Sequence, residues 1–143
     1  MATDRTAHVT WNGSLLEGAG RVDRVGTGAF GPLDVDWRAR AEEPGSRTSP
    51  EELLAAAHAA CFSMALSHAL AQAGTAPERL ETSATVTFQP GEGITRIALA
   101  VVGTVPGVDE AAFVEAAEGA KAGCPVSKAL AGVPEIALDA RLA

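Results

Sequence analysis

The chain of 143 residues has only two cysteines, Cys61 and Cys124, and no surplus of positive charge. Its 11 Lys and Arg stand against 18 Asp and Glu, a formal net charge of −7. Phosphate backbones are bound by clustered basic residues, so this balance argues against nucleic acid as a partner. No long linker, low-complexity tract or internal repeat interrupts the chain. The expectation is one domain over residues 1–143. A chain this long buries roughly two-thirds of its unfolded surface and needs no disulfide staple. The opening Met1-Ala2-Thr3-Asp4-Arg5 lacks the basic-then-apolar layout of a signal peptide, which predicts a cytoplasmic protein. In that reducing compartment two cysteines point to redox chemistry, metal binding or core packing rather than a structural disulfide.

Charge is also missing from Leu53 through Pro77. A run this long can be a membrane span. It is built largely from Ala, however, and holds His58, Ser63, Ser67, His68 and Gln72. Such modest hydrophobicity fits a central core helix, apolar nearly all round, and no membrane association is expected.

Residues 6–12 and 20–26 alternate and carry Thr and Val, which predicts short strands around the hairpin signal Asn12-Gly13. Leu33, Val35, Trp37 and Ala39 alternate with Asp34, Asp36, Arg38 and Arg40, predicting a half-buried strand over 33–41 with both arginines on one face. Glu42 to Arg47 reads as a polar loop, with Glu42-Glu43 as solvated charges. Ser49-Pro50-Glu51-Glu52 has the form of a capped helix start: Ser49 as N-cap, Pro50 in the first turn and Glu52 completing a capping box. That helix should run to about Ala73 and stop at Gly74. Thr82–Gln89 and Ile94–Val105 read as strands joined by Pro90-Gly91-Glu92-Gly93. Asp109 caps a second helix with a stripe of Phe113, Ala116, Ala117 and Ala120, ending at Gly123. Pro125 restarts a short helix, and a strand covers Glu135–Leu142. This order predicts an α+β fold with a largely antiparallel sheet packed on central helices. One sheet face cannot cover the first helix all round, so a homodimer is expected.

A thiol is nucleophilic only as thiolate. Cys61 lies mid-helix in Ala57-His58-Ala59-Ala60-Cys61-Phe62-Ser63-Met64, where burial should raise its pKa unless a cation approaches. Cys124, between Gly123 and Pro125, falls at the N-cap of a short helix, whose free amides favour thiolate. Local sequence thus nominates Cys124 as nucleophile, while either cysteine could simply fill space. His58, one turn before Cys61, could tune the thiol or hydrogen-bond in the core. His58 and His68 lie ten apart and match no metal-binding spacing, and His8 reads as an ordinary strand residue. No residue pattern calls for a metal or an organic cofactor.

The run Thr48-Ser49-Pro50-Glu51-Glu52-Leu53-Leu54-Ala55-Ala56-Ala57-His58-Ala59-Ala60-Cys61-Phe62-Ser63-Met64-Ala65-Leu66-Ser67 closely resembles the signature helix of the OsmC/Ohr family. Lys121-Ala122-Gly123-Cys124-Pro125-Val126-Ser127-Lys128 resembles its second cysteine motif. The residues flanking both cysteines look like the osmotically inducible branch rather than the organic hydroperoxide resistance branch. Ser49 stands where the family commonly has Asn, and both cap helices.

The resemblance implies an intertwined homodimer and a peroxidase acting on organic hydroperoxides, and more weakly on hydrogen peroxide, in oxidative or osmotic stress. It makes Cys61 the peroxidatic thiol and Cys124 the resolving one, reversing the local nomination. Arg40 matches the arginine near the peroxidatic thiolate, with Arg38 as fallback. Glu51 matches the carboxylate that holds this arginine. The implied reductant is a dithiol, a dihydrolipoyl protein rather than thioredoxin. Glu51 and Cys61 are ten helical residues apart, about 15 Å along a straight axis. The expectation is a site shared across the dimer, with Arg40 and Glu51 supplied by the partner of the chain bearing Cys61. Other readings of the residues are a cysteine hydrolase with His58 as base, a non-catalytic dimer that binds apolar ligands, and a redox sensor, though no DNA-binding element is apparent.

Overall fold

The computed structural model describes residues 1–143, which form two compact units, Met1–Pro50 and Glu51–Ala143. In the first, β1 (Ala7–Asn12), β2 (Ala19–Val25) and β3 (Leu33–Val35) make an antiparallel sheet in that order. Asn12 pairs with Ala19, and Gly13 opens the connection at φ +91°, a conformation that suits glycine.

The strand expected over 33–41 is corrected by the structure. It stops at Val35, and Trp37–Ala41 forms a short helix, α1. Asp36 is the cause: its carboxylate accepts the Ala39 amide at 2.7 Å and so satisfies a donor left open at the helix start. Asp36 also pairs with Arg47 at 3.1 Å, which ties down the returning loop. On a helix, residues two apart are rotated by about 200°. Arg38 and Arg40 therefore do not share a face. Arg38 is exposed and pairs only loosely with Glu42, at 3.8 Å, whereas Arg40 is half-buried.

The second unit is built on α2 (Pro50–Gln72), which begins and ends close to where the capping signals put it. Gly74 turns the chain at φ +86°, and the Thr75 amide bonds back to the Leu70 carbonyl at 2.9 Å. β4 (Arg79–Gln89) and β5 (Gly93–Thr104) form an antiparallel hairpin. β4 starts three residues before the alternating run, because Arg79, Leu80 and Glu81 still pair with Thr104, Gly103 and Val102. α3 (Glu110–Gly123) is capped by Asp109, which accepts the Ala112 amide at 2.8 Å. After α4 (Pro125–Ala129), β6 (Glu135–Leu142) returns parallel to β5. Parallel neighbours need a crossover, and α3 with α4 supplies it. The remaining strand pairings are antiparallel, as the α+β expectation has it.

By length and composition α2 could cross a membrane. Every fourth residue of it from His58 to Leu70, namely His58, Phe62, Leu66 and Leu70, is buried. Phe62, Leu66 and Leu70 meet Ile97, Leu99 and Val101 of β5 and Phe113, Ala117 and Ala120 of α3 in one core. Off this stripe, Met64 is 73% exposed.

The tightest point of this core is Gly103 against Phe113. A Cβ on Gly103 would come within 2.5 Å of two ring carbons of the fully buried Phe113. Overpacking of this kind costs about 1–3 kcal/mol. Gly103→Ala should therefore lower the urea unfolding midpoint. Adding Phe113→Leu should cost less than the sum of the two single changes, because the smaller side chain makes room for the new methyl.

Candidate active site

Two helix-borne stripes position the cysteines. Along α2, Cys61 is next to Phe62, about 100° round the axis from the buried stripe. It therefore sits at the stripe's edge and is only partly buried. Along α3, Phe113, Ala117, Ala120 and Cys124 follow at spacings of four, three and four, so Cys124 ends a buried stripe and is 0% exposed. Cys124 closes α3 and opens α4, as the Gly123-Cys124-Pro125 sequence predicts.

The two sulfurs lie 3.0 Å apart and both are free thiols. A disulfide bond is about 2.05 Å long, so roughly an ångström of approach would join them. Burial pushes the Cys61 thiol up; the hydrogen bond with Cys124 pushes it further, and the Val126 amide only partly opposes them. Burial also opposes ionisation of Cys124. There, hydrogen bonding by Cys61, by the amide and hydroxyl of Ser127 and by the Val126 amide outweighs burial and brings the pKa below the ordinary thiol value. Within one chain, then, the surroundings favour the thiolate at Cys124 over that at Cys61. The local nomination of Cys124 as the more acidic thiol agrees with this, although its side chain makes no regular capping hydrogen bond to α4. No cation is among the groups that shift Cys61.

His58 is fully buried, and its Nε2 is 2.7 Å from Ser127 Oγ. Ser127 was not singled out from the sequence. The signal was available in the spacing: His58 is one turn before Cys61 on α2, and Ser127 is one turn after Cys124. Joining the cysteines brings their one-turn neighbours together as well.

Of the other expected site residues, Glu51 is not brought to Cys61 by α2. Glu51 is buried in the first turn of α2, and α2 is unbroken, so the ten-residue separation from Cys61 stands at about 15 Å. Arg40 lies on α1 in the first unit.

A family model described as "OsmC-like protein" matches residues 43–139. The chain is 41% identical over 146 aligned positions to the protein named Peroxiredoxin OsmC of Escherichia coli (strain K12), covering 99% of each. The match to Peroxiredoxin OsmC of Shigella flexneri has the same identity and coverage. Among solved structures, an organic hydroperoxide resistance protein OsmC from Legionella pneumophila superposes with TM-score 0.70 at 25% identity, over 95% of this chain and 96% of that one. The organic hydroperoxide resistance protein OhrB of Bacillus subtilis superposes with TM-score 0.65 at 26% identity, over 96% and 98%.

The coupling of the two thiols has a sign that can be measured. Cys61→Ala removes a hydrogen bond that favours the Cys124 thiolate, so the Cys124 midpoint should rise. Cys124→Ala removes an influence that raises Cys61, so the Cys61 midpoint should fall below its wild-type value. Thiolate ultraviolet absorbance followed against pH in the two variants reads both shifts.

Proposed function

The chain belongs to the OsmC family and is a peroxidase; we propose that it reduces organic hydroperoxides to alcohols, with Cys61 as peroxidatic and Cys124 as resolving thiol. One observation supports this order above all: the sulfurs are 3.0 Å apart, yet only Cys61 is partly open while Cys124 is sealed. Assembly with another chain can only bury Cys124 further. The more acidic thiol is thus the one a hydroperoxide cannot reach.

In the first step the Cys61 thiolate attacks the terminal oxygen of the hydroperoxide. The O–O bond breaks, and the departing alkoxide takes the thiol's proton and leaves as alcohol. Cys61 becomes a sulfenic acid. Cys124 then attacks the Cys61 sulfur, the S–O bond breaks, and a disulfide and water form. An external dithiol, assigned here to a dihydrolipoyl protein, returns both cysteines to thiols.

A thiol raised by burial makes a poor nucleophile at neutral pH, so Cys61 needs a cation. We assign that role to Arg40, held by Glu51, with both residues contributed by the partner in a homodimer. An always-charged guanidinium lowers the thiolate pKa and stabilises charge on the departing oxygen. The unbroken α2 supports a shared site, since Glu51 and Cys61 of one chain cannot meet around one guanidinium. The apolar surface that α2 leaves uncovered, including Met64, supports the dimer. Oxidative or osmotic stress in the cytoplasm is the setting this reading proposes. The hydrolase alternative is disfavoured, because its base would be His58, which is buried and committed to Ser127.

Mass spectrometry of the reduced protein after one equivalent of cumene hydroperoxide tests the order of thiols. The wild type should lose two hydrogens, Cys124→Ser should gain one oxygen, and Cys61→Ser should show no rapid change. Survival of both thiols would end the peroxidase mechanism. The shared site is tested by co-expressing Cys61→Ser with Arg40→Met. Each variant alone should be inactive, and the mixed dimer should recover activity, because one of its two sites has an intact Cys61 and an Arg40 from the other chain. No recovery would place Arg40 and Cys61 in the same chain.

A further inference from the structure

We infer that His58 and Ser127 form a buried polar chain that holds Cys124 ready for the resolving step; this rests on the peroxidase mechanism above. The direction of its hydrogen bonds follows from the surroundings of His58. The imidazole is fully buried, Nε2 faces Ser127 Oγ at 2.7 Å, and Nδ1 is buried with no hydrogen-bond partner. Burial lowers the His58 pKa, so the ring is neutral at neutral pH and carries one N–H. With that hydrogen on Nδ1, a donor would be buried without an acceptor, and such orphaned N–H groups are rare and costly. With it on Nε2, the N–H donates to Ser127 Oγ and only an acceptor is left bare. The second tautomer is therefore favoured.

This tautomer has a consequence one bond further on. A serine hydroxyl has a single hydrogen. Because Ser127 Oγ accepts from His58, its own hydrogen is directed elsewhere, and the Ser127 hydroxyl is among the groups that favour the Cys124 thiolate. His58 thus orients Ser127, and Ser127 steadies the sulfur that must attack. Ser127 is itself only 6% exposed, so water does not compete for its hydroxyl. Both are positioning residues, since the bonds that change are at Cys61 and Cys124.

The step they serve is balanced. The Cys124 sulfur forms the S–S bond, the Cys61 S–O bond breaks, and the hydroxide leaves as water with the proton that Cys124 released. The oxidant is the hydroperoxide already consumed. The arrangement explains why an inaccessible thiol is the more acidic of the two: its reaction partner is Cys61 sulfenic acid, formed next to it. The same buried pair is also what keeps His58 from serving as a general base.

The test is the rate of disulfide formation after a single addition of hydroperoxide, in the dimeric full-length protein. Ser127→Ala should accumulate Cys61 sulfenic acid, trapped by dimedone, and close its disulfide on the order of tenfold more slowly, as loss of a hydrogen bond to a charged group implies. Ser127→Thr keeps the hydroxyl and should restore most of the rate. His58→Phe keeps Ser127 but not its orientation, and should raise the Cys124 titration midpoint, read as thiolate absorbance in a Cys61→Ser background. Folding of each variant is checked by circular dichroism, and the titration stands on its own if Ser127→Ala does not fold. Disulfide closure at the wild-type rate in Ser127→Ala, or an unmoved Cys124 midpoint in His58→Phe, would overturn the inference while leaving the peroxidase mechanism intact. A wild type that forms neither sulfenic acid nor disulfide would overturn the mechanism and this inference with it.

Discussion

The buried stripe of α2 is the constraint on which the site depends. His58, Phe62, Leu66 and Leu70 recur every fourth residue, and burying them sets the rotation of the helix against β5 and α3. A rotation of one residue would move about 100° of helix surface. It would bring Cys61 into the core and turn His58 away from Ser127. Packing thus decides which thiol is open and which polar side chain is sealed. The close contact of Gly103 with Phe113 sets how tightly α3 packs on β5, the two elements whose side chains this stripe meets.

Within that frame, acidity and accessibility are divided between the two thiols. Cys124 has the hydrogen bonds that favour its thiolate, but it is closed off. Cys61 is partly open, but burial and its neighbour hold its proton on. A chain with only these influences would have a reactive sulfur where substrate cannot go. In the proposed mechanism a cation brought to Cys61 would reverse the order at the open thiol, and the buried thiol would act second. This division is a physical reason for two cysteines in two different settings rather than two equivalent ones. Under the same proposal a dimer would complete the site as well as cover apolar surface.

Much of this was legible in the linear chain because it depends on short-range chemistry. Ser49-Pro50-Glu51-Glu52 and Gly74 bracket α2 because caps and stops act within one turn. Asp109 and Gly123 do the same for α3, and Gly123-Cys124-Pro125 places a thiol between two helices. The two cysteine motifs identified the family, and the comparisons over nearly the whole chain agree. The clear failure was 33–41, where alternation over a short run is compatible with a strand or with a strand and one helical turn. A single hydrogen bond from Asp36 to Ala39 selects the second.

What the sequence determined by itself was the bounds of α2 and α3 and the placing of Cys124 between two helices, since each depends on residues within a turn or two. Only the tertiary structure decided that Sγ meets Sγ at 3.0 Å, that Cys124 is sealed while Cys61 is not, and that His58 finds Ser127, 69 residues away in sequence. These depend on how two helix stripes share one core, and contacts between distant segments leave no local periodicity to read. The unbroken length of α2 lies between the two: its residues predict a helix, and the fold keeps that helix straight enough to hold Glu51 away from Cys61.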